Sequence, residues 1–211
     1  MISRILGNLA GLLVAFGILF ISIVKASSLQ YQFNLPSPEP QEKNSQNTNS
    51  KDIKIDYWLP DPGEIMPANP LWLALAAADK IRAEGVSDPF EKSLVLLEIS
   101  DKRFSVGCKL FKEGEFEESI LTFQKAEKYL EESFKEENVA RSGGMDTRDL
   151  LKKIHFASAY HRADLESHLA SAPEDARPVI ISILDLPKRV FEDTKNVLSD
   201  FGVVTADPFQ V

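Results

Sequence analysis

Residues 88–134 of the chain read DPFEKSLVLLEISDKRFSVGCKLFKEGEFEESILTFQKAEKYLEESF, and they predict the central hairpin of the fold. It opens with Asp88 as a helix N-cap, Pro89 as the first helical residue and Glu91 three residues past the cap, a capping box with Asp in place of Ser. Gly114 then separates two runs in which apolar residues recur at intervals of three and four. A joint this short predicts two long antiparallel helices.

The first of these two helices carries one polar residue in an apolar stripe. The stripe consists of Phe90, Leu94, Leu97, Asp101, Phe104, Cys108 and Phe111. Asp101 is either a catalytic carboxylate or a structural one that pairs with Arg103, Lys125 or a base on helix four to set the register of the bundle. We favour the structural interpretation, because no nucleophile or histidine nearby in the sequence completes a general acid/base pair. Cys108 is interpreted as a small apolar residue, since the pattern offers no positive neighbours to activate its thiolate.

Three further helices are predicted outside this hairpin, because helical spacing recurs between glycine and proline signals. Helix one has Asn69 as its cap and Pro70 as its first residue, and it ends at Gly85. Helix four follows the break at residues 141–144 and ends at Ser171-Ala172-Pro173, and helix five runs from about Pro178 through Phe201 with a kink expected at Pro187. No stretch alternates as a strand, so the predicted fold is an all-α bundle of about five helices with antiparallel hairpins.

Residues 1–26 form a predicted membrane-targeting segment. Ile5 to Val24 are apolar apart from a few Gly, Asn and Ser residues, and as a helix they extend about 30 Å, the thickness of one bilayer core. The segment is either an uncleaved transmembrane anchor or a signal peptide that is cleaved after Ala26. We favour the anchor, with Arg4 on the cytoplasmic side. The rest of the chain is then outside the cytoplasm, attached by a single pass, or secreted if Ala26 is a cleavage site.

Composition divides the remainder of the chain. Within residues 27–56, prolines stand at alternate positions from 36 to 40 and an almost wholly polar run follows. This composition predicts a disordered linker. Residues 57–140 form a predicted helical domain, and residues 141–211 a C-terminal helical hairpin that we expect to pack on the same bundle. The formal net charge of −8 repels nucleic acid and anionic lipid headgroups, so no nucleic-acid partner is expected.

Several motifs follow one another in residues 57–135. Residues 59–72 read LPDPGEIMPANPLW, an Asp-Pro helix start follows at 88–89, an acidic-basic pair lies inside 99–104, and EGEF stands at 113–116. In this order they resemble a bacterial envelope domain of unknown function that opens with a Leu-Pro-x-Pro-Gly-x-x-Pro-x-x-Pro-Leu-aromatic motif. This chain has one extra residue before Pro67. The resemblance implies a non-catalytic helical module outside the membrane, with no known substrate, cofactor or site residues.

A weaker resemblance is to the tetratricopeptide repeat. Gly107, Gly114, Phe123 and Ala126 stand at the spacings of that repeat, although Ser119 replaces its usual Ala and no copy follows about 34 residues later. Repeat-type peptide binding would need such a stacked array. We therefore favour a single hairpin whose helices pack tightly.

The three histidines, His155, His161 and His168, all fall in helix four. His161, Asp164 and His168 follow one another at intervals that invite a metal site. The two histidines lie about 10 Å apart along the helix axis, however, so one ion would need ligands from another helix. No second cluster in the sequence offers them, and we favour an Asp164–His168 pair on a helix face. No catalytic, cofactor-binding or metal-binding residue is assigned, and no cofactor is expected.

These features predict a non-catalytic, membrane-anchored extracytoplasmic helical module that contacts another envelope protein or has a structural role in the cell envelope. A contiguous exposed apolar surface would favour binding over spacing. The alternative is an extracytoplasmic enzyme or metal-binding protein that uses Asp101 and the histidines of helix four.

Overall fold

The computed structural model describes Phe33 and residues 55–210, and within these all regular structure is helical. The five helices are α1 (Leu71–Glu84), α2 (Pro89–Glu113), α3 (Phe116–Ser142), α4 (Arg148–His168) and α5 (Arg177–Asp200). The predicted all-α bundle is confirmed for this part of the chain. The predicted anchor or signal segment and most of the predicted linker lie outside the described residues. Among the helices that the structure describes, none combines the length and the apolar character needed to cross a bilayer.

The turn signals around α2 form the predicted local structure. The side chain of Asp88 accepts a hydrogen bond of 2.9 Å from the backbone N–H of Glu91, which satisfies one of the free donors at the helix start. At the other end Gly114 has a φ of 84°, in the left-handed region that glycine adopts without strain. The chain therefore reverses within two residues, and α3 returns along α2.

A seam of small residues lets α2 and α3 approach closely. Hydroxyl groups on each helix donate hydrogen bonds of 2.7 to 2.9 Å to backbone carbonyl oxygens of the other helix. The seam consists of Ser93 opposite Ser133, Ser100 opposite Ala126, and Gly107 opposite Ser119. The facing pairs recur every seven residues and run in opposite directions, which is antiparallel packing with a heptad period. The predicted tight antiparallel hairpin is confirmed.

The second hairpin, α4 and α5, shares a hydrophobic core with the first. The joint between the two hairpins, from α3 to α4, is held by the buried Thr147 hydroxyl, which donates a hydrogen bond to the Glu137 carboxylate. α5 continues through Pro187, which is buried. One cluster of buried side chains draws on α2, α3, α4 and α5, and consists of Leu97, Leu130, Leu150, Ile154, Ala157 and Val190.

The apolar residues of α1 differ from a core-facing stripe. Only Ala83 of this helix is buried, while Leu71 and Ile81 are 59% and 70% exposed. The helix contacts α2 through one side only, where Asp79 forms an ion pair of 3.2 Å with Arg103. The predicted helix start also shifts by one position, because α1 begins at Leu71 and Pro70 is the cap residue. The side chain of Asn69 accepts a hydrogen bond from the N–H of Leu71.

Gly107→Ala should destabilise the protein although alanine favours a helix. A Cβ atom at this position would lie 2.6 Å from Cδ1 of Phe123, and the resulting overpacking should outweigh the helix-propensity gain by about 1–2 kcal/mol. Urea unfolding measures the loss. Combining it with Phe123→Leu, which removes ring atoms, should cost less than the two single losses added together. Simple additivity would show that the two sites are not in contact.

Candidate functional site

A buried histidine lies between two carboxylates in the middle of the bundle. Nδ1 of His161 on α4 is 3.0 Å from Oε1 of Glu127 on α3, and its Nε2 is 3.3 Å from Oδ1 of Asp101 on α2. The second separation is an ion-pair distance, although the Nε2 atom is not aligned for a hydrogen bond. The ring stacks on Phe104 with centroids 3.8 Å apart. The cluster therefore joins three helices through one imidazole ring.

The proline-rich segment before α1 supplies the fourth member of this His161 cluster, which comprises Tyr57, Asp101, Glu127 and His161. The Tyr57 hydroxyl donates a hydrogen bond of 2.6 Å to Oδ2 of Asp101. Burial and the neighbouring carboxylate raise the pKa of Tyr57 far above its ordinary value, so the hydroxyl remains a donor. Further along the segment, the carbonyl oxygen of Gly63 lies 3.5 Å from Nζ of Lys109 on α2. These contacts hold the irregular segment against the bundle.

The charges in the His161 cluster stabilise one another. Burial by itself lowers the pKa of His161, but attraction to Glu127 and Asp101 outweighs burial and raises that pKa to about 9. Burial raises the pKa of Glu127, and Asp101 adds to the rise while His161 opposes it. His161 and Glu127 have no exposed surface. A protonated His161 between two acidic side chains offsets the cost of enclosing a charge in the core.

The tertiary structure corrects one sequence inference about Asp101. A histidine does face this carboxylate, because α4 brings His161 to it across a separation of many residues. Of the pairings considered for Asp101, the helix-four base is the one present. Arg103 instead pairs with Asp79 and lies over the ring of Tyr129, 5.2 Å from its centroid. Lys125 lines a surface groove.

Glu127 is the member of the cluster that sequence reasoning missed. It occupies a position in the apolar stripe of α3, four residues after Phe123 and three before Leu130. Asp101 occupies the equivalent position in the apolar stripe of α2. An acidic residue in the middle of the apolar stripe of each of two paired helices is a signal that could have identified both. What periodicity could not supply is the helix that places a base between them.

A second cluster lies two turns further along α4 and consists of Cys108, Asp164 and His168. The Cys108 thiol donates to Oδ2 of Asp164 at 3.2 Å, and Nε2 of His168 is 3.1 Å from the same oxygen. Burial raises the pKa of the Cys108 thiol, so the sulfur keeps its proton. Burial also acts to raise the pKa of Asp164, but His168 and Cys108 hold it below its ordinary value.

The Cys108 cluster confirms one prediction and corrects another. The Asp164–His168 pair on the face of helix four is present. Cys108 is more than a small apolar side chain, because α2 places its sulfur within reach of that pair. A ligand from another helix, which the sequence did not reveal, is therefore available. The remaining histidine, His155, lies apart from both clusters, with Nδ1 3.0 Å from the Thr194 hydroxyl.

The exposed side chains of α1 adjoin a groove of about 720 Å³ between α1 and α3. The floor of the groove is apolar and includes Ala83, Leu96 and Tyr129. Its rim carries both signs of charge, with Lys80, Lys92, Lys125, Lys128 and Lys135 facing Glu84, Glu132 and Glu136. Lys125 is partly desolvated there, and burial together with Arg103 and Lys128 lowers its pKa. The groove therefore lies beside the side of α1 that α2 leaves uncovered.

Comparison with family models, curated proteins and solved structures found no match to this chain. The resemblances of residues 57–135 and of the α2–α3 hairpin to known families stay predictions.

Tyr57→Phe should reduce the free energy of unfolding by about 1–2 kcal/mol, because Asp101 loses a hydrogen bond to its carboxylate in a largely buried site. Urea unfolding at neutral pH measures the change. Trp58→Phe is the matched control, since Trp58 is 86% exposed and its replacement should leave stability within about 0.5 kcal/mol of wild type. Equal effects of the two substitutions would contradict the assigned role of the Tyr57 hydroxyl.

The protein should become less stable as the pH rises from neutral into the alkaline range, because the stabilising contribution of protonated His161 is lost. Folded His161 keeps its proton to about pH 9, whereas the unfolded side chain releases it near its ordinary pKa of 6.5. Its stabilising contribution is thus complete below the lower of these values and is lost as the pH rises through the higher one.

Urea unfolding of wild type and His161→Gln across this pH range measures that contribution, and the variant should show the smaller decline. His155→Gln is the matched control, because burial lowers the pKa of His155 and this ring is neutral throughout the range. The assignment fails if His161→Gln and His155→Gln change the pH profile alike.

Proposed function

We propose that this chain is a non-catalytic, membrane-anchored module outside the cytoplasm that binds another protein of the cell envelope through α1. The observation that carries the proposal is the α1 apolar surface, defined as Leu71, Leu73, Leu75 and Ile81. These side chains are between 37% and 70% exposed. They lie on the helix that follows directly after the proline-rich segment, at one side of the bundle.

The composition of α1 is that of a helix covered on several sides. Leu71 and Leu75 are one turn apart and project to one flank, Leu73 projects to the opposite flank, and Ile81 points away from α2. A helix that is apolar around its circumference is typical of a buried element. α2 covers only the side that carries Ala83 and Asp79. The uncovered flanks are therefore available to a binding partner.

The proposed partner is a protein that surrounds α1, with a helix of its own in the groove between α1 and α3. A bilayer surface would cover one flank of α1 and leave the other in water. The net charge of −8 also disfavours an anionic membrane. Leu73 lies on the groove side of α1, two turns before Lys80. A partner helix with an apolar stripe and mixed charges would match the floor and the rim of that groove.

The His161 cluster supports a structural role in this proposal. His161 and Glu127 are fully enclosed, and the imidazole face is covered by Phe104. A general acid or base must come within hydrogen-bond reach of its substrate, which here would require the core to open. The alternative of an enzyme that uses Asp101 and His161 is therefore less favoured than a cluster that fixes the relative positions of α2, α3 and α4.

The test uses the full-length chain in intact cells of its native host. A photo-crosslinking amino acid replaces Ile81, and in a matched control it replaces Ile181, which is 54% exposed on α5. We expect one discrete product from position 81, containing the same envelope protein in repeated captures, and none from position 181. Leu71→Ser combined with Ile81→Ser should reduce capture of that protein by about tenfold while the circular dichroism spectrum is retained.

The purified partner must then bind the wild-type chain and lose binding to the double variant. Crosslinks only to a second copy, only to lipid, or to nothing would overturn the proposed partner class. Mass spectrometry of the same material identifies the N-terminus. A chain that begins at Ser27 would replace the anchor with a cleaved signal peptide, without bearing on the binding surface.

A further inference from the structure

We propose that Cys108, Asp164 and His168 form a binding site for Zn²⁺ that links α2 to α4. The site is independent of the α1 apolar surface and of the proposed protein partner. It uses the Cys108 cluster, in which Sγ of Cys108, a carboxylate oxygen of Asp164 and a ring nitrogen of His168 all lie within 4.8 Å of one another.

Two of the three separations between these atoms are close to those of a tetrahedral zinc site. Zn²⁺ binds sulfur at about 2.3 Å and nitrogen or oxygen at about 2.0–2.2 Å, which places neighbouring ligand atoms about 3.3–3.7 Å apart. The Sγ–Oδ2 distance is 3.2 Å and the Oδ2–Nε2 distance is 3.1 Å. The third separation, between Sγ and the ring nitrogen, is within 4.8 Å, so the sulfur and the ring must close toward each other to hold the ion.

The ring nitrogen of His168 that faces the cluster is buried without a hydrogen bond, and it contacts the cluster at the 3.1 Å ion-pair distance from Oδ2 of Asp164. This nitrogen is Nε2, and the side chain as a whole is 9% exposed. Phe111 stacks on this ring with centroids 4.1 Å apart and planes 10° from parallel, which directs the ring edge toward Asp164. A buried ring nitrogen that makes no hydrogen bond is costly. A metal bond would satisfy it.

The combination of donor atoms selects the metal. A thiolate, an imidazole and a carboxylate suit Zn²⁺, whereas Ca²⁺ and Mg²⁺ require oxygen ligands throughout. Zn²⁺ would replace the proton of the Cys108 thiol, so one sulfur–metal bond forms and one proton is released to solvent, with no change of oxidation state. The thiolate and the carboxylate together balance the charge of the ion. Asp164, with 26% of its side chain exposed, gives access for the ion and for a water as the fourth ligand.

The test begins with the full-length chain, purified in detergent without a histidine tag and freed of metal with a chelator. We expect one equivalent of Zn²⁺ to bind and to raise the midpoint of thermal unfolding. Co²⁺ as a substitute should produce a thiolate-to-cobalt charge-transfer band. Because Cys108 is the only cysteine, its alkylation rate reports on the site in the wild-type chain, and Zn²⁺ should slow alkylation by at least about tenfold.

Two substitutions separate a built site from a lone thiol that takes up metal. Asp164→Asn and His168→Gln should each weaken Zn²⁺ binding by at least about tenfold and restore alkylation in its presence. Asp149→Asn is the matched control on the same helix, because the Asp149 side chain is 94% exposed and lies outside the cluster. The proposal is overturned if wild type binds no Zn²⁺ at micromolar concentrations. It is also overturned if all three variants bind Zn²⁺ as tightly as wild type does, which would identify adventitious binding by the thiol.

Discussion

The close contact between α2 and α3 sets the positions of the side chains that the other helices meet. Serine, alanine and glycine on the seam bring the two backbones together, and the serine hydroxyls keep a hydrogen bond in a dry interface by donating to carbonyl oxygens of the facing helix. A glycine is required where the Phe123 ring fills the space of a side chain. The contact fixes the rotation of each helix, and therefore the direction of every other side chain along it.

The positions of two acidic residues in the core, Asp101 and Glu127, follow from that rotation. Asp101 and Glu127 project from neighbouring helices toward the same point on α4, where His161 lies between them. Three charged groups in a core are costly to desolvate, and an apolar cluster of equal volume would serve stability at least as well. What the pairing adds is specificity, since a shift of any of the three helices would leave a buried charge unpaired. The cluster thus defines one register for the bundle.

The same geometry separates the buried chemistry of the protein from its accessible surface. The His161 cluster is enclosed, whereas the Cys108 cluster lies at the edge of the core, where Asp164 reaches solvent. The α1 apolar surface lies outside the core altogether, because α1 contacts the bundle along one side. A structural role, a metal site and a binding surface can therefore coexist on one small bundle without sharing residues.

The helices of this fold and the ends of its central hairpin follow from local signals in the sequence. Capping residues, glycine turns and apolar spacing act between neighbours in the chain, so Asp88 and Gly114 predict local structure directly. Tertiary packing sets which polar side chains meet: His161 with Asp101, and Cys108 with Asp164. It also decided that the leucines of α1 face outward. These outcomes depend on the packing angle and rotation of helices that are distant in the chain, which the spacing of residues within one helix does not encode.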